Sequence, residues 1–114
     1  MTYDIEIELA TDETQDVLVA IADERMRQIA KWGVQSRPEG TNPAFAKARD
    51  AAQRRTDTKM KDGTVTWHDI IFEEFLEFLT ETAPAKMRVE LIQLAAVAVS
   101  AIEDIDRKAA EPKK

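Results

Sequence analysis

The fold is decided by residues 66–80, which read TWHDIIFEEFLEFLT. Thr66, followed three residues later by Asp69, has the spacing of a capping box, and apolar residues cover most of the turns beyond it, so a helix is predicted over about 67–80. At ~100° per residue, the carboxylates of Glu73, Glu74 and Glu77 fall within one wedge of that helix. These three residues, here called the acidic wedge, repel one another, and a cation bound between them would relieve the repulsion.

A second apolar helix follows directly. Pro84 suits the first turn of a helix, which is predicted to run to about Lys108. Within residues 91–102 only Gln93 and Ser100 are polar. This helix should therefore be the central, most buried one.

One narrow stripe that carries polar residues runs along this helix, formed by Lys86, Glu90, Gln93, Val97 and Asp104. If the stripe faces the acidic wedge, carboxylate and amide oxygens meet, and these are ligands that suit Mg²⁺ or Mn²⁺. The alternative is a solvated acidic face paired with Lys86 and Arg88, which is the commoner arrangement for glutamates on a helix. Burial of Glu90 and Gln93 on an apolar helix favours the metal site, because buried polar groups need partners.

Two further helices are predicted upstream. The first covers about 14–31, with Thr11 as a cap-type residue before it and Gly33 at its end. The second covers 44–58, and a turn is predicted from 59 to 65. Four helices with short connections indicate an all-α, four-helix-bundle-type domain.

The predicted domain is single and spans residues 1–114, with an N-terminal arm at 1–12 and a tail at 109–114. Residues 3–9 alternate between apolar and acidic side chains, the period of a strand. No second strand is evident to pair with this stretch, so it is interpreted as a mobile arm or a dimer-contact strand.

The first helix carries polar residues on its predicted inward face. Arg25, Gln28 and Trp32 fall on or beside the apolar face made by Val17, Leu18, Ile21, Ala22 and Ile29. Trp32 could stack on a nucleobase, and Arg25, Gln28 or Lys31 could reach base edges or phosphates. The alternative for Trp32 is a core tryptophan at the helix end.

One further segment has two interpretations, and two further residues have a structural one. The basic segment 47–61 could close over phosphates as a lid, or it could be a solvated surface helix. His68 is interpreted as a surface or capping residue, and Trp67 as a core residue.

Composition limits the class of protein. The chain has 114 residues, 44% hydrophobic and 33% charged, which is typical of one soluble domain. A net charge of −6 disfavours binding to extended nucleic acid. Neither a membrane span of ~20 apolar residues nor a signal peptide is evident, and cysteine is absent, so a cytoplasmic location with no membrane partner is expected.

Two short motifs carry a family resemblance. EEFLE at 73–77 and ELIQ at 90–93 resemble the Glu-Glu-x-x-Glu … Glu-x-x-Asp signature of the all-α nucleoside triphosphate pyrophosphohydrolases of the MazG and dCTPase-like superfamily. More specifically, the chain is similar to small MazG-like proteins of actinobacteria and their phages over about residues 17–107. The segments that carry this similarity are ERMRQIAKWGVQ at 24–35, TWHDIIFEE at 66–74, LIQLAAVAV at 91–99 and IEDIDR at 102–107.

The resemblance implies a helical bundle, a homodimer or homotetramer, and Mg²⁺-dependent cleavage of a nucleoside triphosphate to the monophosphate and pyrophosphate. It makes Glu74, Glu77 and Glu90 metal ligands, and Glu73 a ligand or the group that orients the attacking water. Lys86 or Arg25 would offset charge on the leaving pyrophosphate.

One position departs from the signature. Gln93 stands where the signature has Asp, although the phage-type branch carries Gln here as well. An amide oxygen can still bind Mg²⁺, directly or through water, but the site loses one negative charge. A MazG-like protein that binds or sequesters a nucleotide without hydrolysing it is therefore the alternative function. A purely structural helical dimer is a third.

Overall fold

The computed structural model describes residues 11–112. Within this part of the chain lie four α-helices and one short 3-10 turn, at Pro43–Phe45. The helices are α1 (Asp12–Trp32), α2 (Ala46–Asp62), α3 (Trp67–Thr80) and α4 (Pro84–Ala110). The all-α class is confirmed, whereas the predicted arm at residues 3–9 lies outside the described residues.

Two compact units divide the chain. Of the described residues, one unit contains those up to Arg37 together with those from Val99 onward, and the other is Pro38–Ala98. The first unit thus holds α1 and the last turns of α4. The second holds α2, α3 and the first half of α4, and with them both glutamate motifs.

Helix α3 begins as its sequence predicts. The Thr66 hydroxyl accepts the backbone N–H of Asp69, and the Asp69 carboxylate accepts the backbone N–H of Thr66 at 3.0 Å, which completes the capping box. The predicted bounds of 67–80 are confirmed.

Helix α2 is longer than its sequence predicts. The sequence predicts a turn over residues 59–62, but they are helical, and the helix ends only at Gly63, whose φ of 77° is left-handed. Lys59 explains the extra turn, because its ammonium group lies 3.1 Å from a carboxylate oxygen of Asp69 and so ties the end of α2 to α3.

Helices α2 and α3 form an antiparallel hairpin, joined by residues 63–66. Ala52 and Thr56 of α2 are buried at this contact, as are Asp69 and Leu76 of α3. Ala52 and Thr56 are small and lie one helical turn apart, so the two backbones approach closely along one stripe.

In the first unit, α1 is bound to the last turns of α4 by polar contacts. The Thr14 hydroxyl donates to Glu103 at 2.5 Å, and the Arg107 guanidinium donates to Glu13 at 2.7 Å. Val17 is the buried apolar residue of α1, at 4% exposure.

Two expectations about the core are wrong. The predicted inward face of α1 is exposed except for Val17, and Leu91 and Ile92 in α4 are 44% and 51% exposed instead of buried. Close packing in the second unit joins α2, α3 and the 3-10 turn, so α4 has few neighbours there to cover its apolar side chains. Along residues 11–112, no helix is both long enough and apolar enough to cross a membrane.

Candidate functional site

The candidate site lies in the second unit, where α3 and α4 carry four half-buried glutamates. Glu73 and Glu77 are one turn apart on α3, and Glu74 lies about 100° from Glu73 around the helix. Glu90 comes from the second turn of α4.

The carboxylates of this group act on one another electrostatically. Burial raises the pKa of Glu74, and the charge of Glu77 raises it further. Burial also raises the pKa of Glu90, followed by the charges of Glu77, Glu74 and Glu81. The charges of Glu74 and Glu77 on α3 therefore act on Glu90 of α4.

Glu73 stands at the other side of the wedge. Burial is the largest cause that raises its pKa, and the charges of Glu74, Asp57 and Glu77 follow. Its surroundings thus include a carboxylate of α2, Asp57, as well as its neighbours on α3.

One oxygen of this site has no partner. Oε2 of Glu74 is buried, and no group in the described part of the chain donates a hydrogen bond to it. Leaving a buried carboxylate oxygen unpaired costs free energy, which a hydrogen-bond donor or a cation would recover.

Helix α2 contributes residues that the sequence analysis missed. The side-chain amide of Gln53 donates a hydrogen bond to Oε1 of Glu77. Gln53 and Asp57 are one turn apart on α2, and across the antiparallel hairpin they meet Glu77 and Glu73, which are one turn apart on α3. The spacing of residues within one helix does not predict these pairs, because they depend on the register between the two helices of the hairpin.

The donors present have the chemistry that Mg²⁺ prefers, since all are carboxylate or amide oxygens. Within residues 11–112, however, no three carboxylate or imidazole groups stand in an arrangement that could hold a metal ion. Gln93, the predicted fourth ligand, has an exposed side chain.

The remaining predicted binding residues are exposed or nearly so. Arg25, Gln28, Lys31 and Trp32 lie on α1, in the first unit. Arg25 donates to the side-chain oxygen of Gln28 at 2.7 Å, and the Lys31 ammonium lies 4.7 Å from the centre of the Trp32 ring. Lys86, on the first turn of α4, is exposed.

The basic side chains of α2 do not form one group. Lys59 and Arg55 approach the buried carboxylate of Asp69, at 3.1 and 4.0 Å, and Arg55 also lies over the Phe72 ring. This end of the basic segment is therefore anchored on α3. His68 is exposed, as predicted, and stacks on Phe72.

Comparison of the chain with protein-family models, curated proteins and solved structures finds no match.

Proposed function

We propose that this protein is a Mg²⁺-dependent nucleotide pyrophosphohydrolase of the MazG-like kind, which cleaves a nucleoside triphosphate to the monophosphate and pyrophosphate. One observation carries the proposal. Glu74, Glu77 and Glu90 come from two helices into one mutually repelling group, in which a buried oxygen of Glu74 has no donor. A divalent cation would neutralise the excess negative charge and would be coordinated by the unpaired oxygen.

Each carboxylate has a role in this proposal. Glu74, Glu77 and Glu90 would hold the cation, and the amide of Gln93 would bind it directly or through water. Bound Mg²⁺ supplies charge stabilisation at the phosphate oxygens and lowers the pKa of a bound water. Glu73, beside Glu74 on α3, accepts a hydrogen bond from the attacking water and so directs it toward the α-phosphate.

The residues predicted from the sequence to bind nucleotide belong to separate units, those of α1 to the first and Lys86 to the second. Trp32 is 56% exposed, so a face of its indole ring is free to stack on a base. Arg25, Gln28 and Lys31 supply donors for base edges or phosphates, and Lys86 offsets charge on the departing pyrophosphate.

A second candidate function is binding without hydrolysis. Gln93 favours this function, because its neutral, exposed side chain adds no negative charge to the carboxylate group. Such a protein would sequester a nucleotide or respond to it as a regulator. A structural helical dimer without a ligand is the third candidate.

Measurement of pyrophosphate release separates the three. The protein is incubated with a panel of nucleoside triphosphates, with Mg²⁺ or with a chelator. Release that requires Mg²⁺ supports the enzyme. Thermal stabilisation by a nucleotide without product supports the binding protein, and neither response supports the structural dimer.

A homodimer or homotetramer in the cytoplasm completes the proposal. A cavity of about 360 Å³ opens along one side of α4, where its residues recur at helical spacing. It is lined by Glu39, Pro84, Met87, Arg88, Leu91, Ile92 and Ala95. An exposed apolar stripe of this kind is the surface that a second copy would cover.

The replacement Ile92→Arg should break this contact, because it places a charge in the middle of the stripe. Light scattering after gel filtration should give a dimer or tetramer for the wild type and a lower mass for Ile92→Arg. Val34→Arg is the control, since Val34 is 96% exposed in a loop. An unchanged mass for Ile92→Arg would place the interface elsewhere.

A further inference from the structure

The two inward carboxylates of the α2–α3 hairpin have different kinds of partner. Asp69 is met by the ammonium of Lys59 at 3.1 Å and by the guanidinium of Arg55 at 4.0 Å. Glu77, two turns further along α3, is met by the neutral amide of Gln53. One carboxylate is thus neutralised by cations of the chain, and the other is not.

Cations are available on α2, so this difference is specific to the position. The helix carries six basic residues, which are Lys47, Arg49, Arg54, Arg55, Lys59 and Lys61. None of the ion pairs described for residues 11–112 joins one of them to Glu77. A glutamine instead of a lysine at position 53 provides a hydrogen-bond donor without a charge.

Helix geometry fixes the direction of the Gln53 side chain. Gln53 follows the buried Ala52, so it lies at the edge of the contact stripe between the two helices. From this edge its amide reaches one oxygen of Glu77, Oε1. The charge of the same Glu77 carboxylate acts on both Glu74 and Glu90.

We propose that Gln53 is the positioning residue of the carboxylate site, which orients Glu77 through a neutral hydrogen bond and leaves the negative charge of Glu77 for a divalent cation. This inference rests on the proposed function, because it assumes that a cation binds there. It adds a residue of α2 to a site that is otherwise formed by α3 and α4. Gln53 acts through Glu77 and contacts neither the cation nor the nucleotide.

Two substitutions of Gln53 test the two parts of this role. Gln53→Met keeps the length and helix propensity of the side chain but removes the donor. Gln53→Lys keeps a donor and adds the charge that the site lacks. Ala51→Lys is the control for charge, since Ala51 is exposed on the same helix.

The measurements are Mn²⁺ binding, by the electron paramagnetic resonance of free Mn²⁺, and the melting temperature in chelator. Loss of an outer-shell partner of a metal ligand typically weakens binding by about 10–100-fold. We expect about tenfold weaker Mn²⁺ binding for Gln53→Met and a larger loss for Gln53→Lys. The melting temperature of Gln53→Lys in chelator should equal or exceed that of the wild type, because the new ammonium group pairs with Glu77. Ala51→Lys should bind Mn²⁺ as the wild type does.

Each other result overturns the inference in a recognisable way. Wild-type affinity in both Gln53 variants would show that Gln53 does not orient a ligand, while the proposed function would stand. Weaker binding together with an equally marked drop of melting temperature in both variants would assign Gln53 a structural role only. Absence of Mn²⁺ binding to the wild type would overturn both the inference and the metal site of the proposed function.

Discussion

Replacement of Glu74 by glutamine is expected to slow pyrophosphate release by at least about 100-fold, the scale on which one electrostatic contact to a transition state is lost. The amide has the shape of the carboxylate but no charge. Glu74 shares its field with Glu77 and Glu90, so its loss weakens the group that would hold the cation.

The same variant should be no less stable than the wild type when a chelator is present. Burial and the charge of Glu77 both raise the pKa of Glu74, which means that folding costs free energy for its charged form relative to the unfolded chain. Removal of the charge relieves this cost. Activity and stability would then change in opposite directions, as at other sites where function requires repelling groups.

The assay compares initial rates of pyrophosphate release and melting temperatures for the wild type, Glu74→Gln and Glu111→Gln. Glu111 is exposed beyond the end of α4, and its replacement changes the net charge by the same amount. Wild-type activity in Glu74→Gln would remove Glu74 from the site. A lost activity accompanied by a lower melting temperature would indicate damage to the fold.

The beginning and the end of α3 could be predicted because their signals are local. Thr66 and Asp69 are three residues apart, and the hydrogen bonds that they exchange involve only each other's side chains and backbones. Apolar periodicity gave the rest of the helix. The acidic wedge followed from the same local geometry, since helix pitch alone places Glu73, Glu74 and Glu77 together.

The contribution of α2 could not be predicted in this way. Its low apolar content predicts a helix with few packing contacts, and the local sequence predicts a turn at Lys59. A long-range pair with Asp69 extends the helix instead, and the register of the hairpin brings Gln53 to Glu77. Periodicity within one segment contains no information about such a register.

Burial was the least predictable property. Leu91 and Ile92 have the pattern of a core helix, yet they are exposed in the single chain. An apolar stripe specifies that a face will be covered, but not whether the cover comes from the same chain or from a second copy. For this reason the interpretation of α4 depends on the oligomeric state.

The hairpin therefore contains two kinds of carboxylate with different consequences for stability. Asp69 is paired with cations of the chain and stabilises the fold, whereas Glu77 adds to a repelling group. A structural carboxylate should be costly to remove, and a member of the repelling group should not. Asp69 tests the first half of this contrast, as Glu74 tests the second.

Asp69→Ala is expected to lower the melting temperature by more than Thr66→Ala does. Loss of the Thr66 side-chain cap alone should cost about 1 kcal/mol. Asp69→Ala removes its half of the capping box and also the partner of Lys59, which ties the last turn of α2 to α3. Thermal melts followed by circular dichroism measure both variants, and equal losses would mean that the Lys59 pair adds nothing.

The contribution of Asp69 should also disappear in acid. Hydrogen bonds from Thr66 and Lys59 lower the pKa of Asp69 from 3.8 to about 2 in the folded protein. Because the folded state holds the proton more weakly than the unfolded chain, this stabilisation is complete above about pH 4 and is lost as the pH falls toward 2. The difference in melting temperature between the wild type and Asp69→Ala should therefore shrink over that interval. A difference that stayed constant would show that the charge of Asp69 is not what joins the two helices.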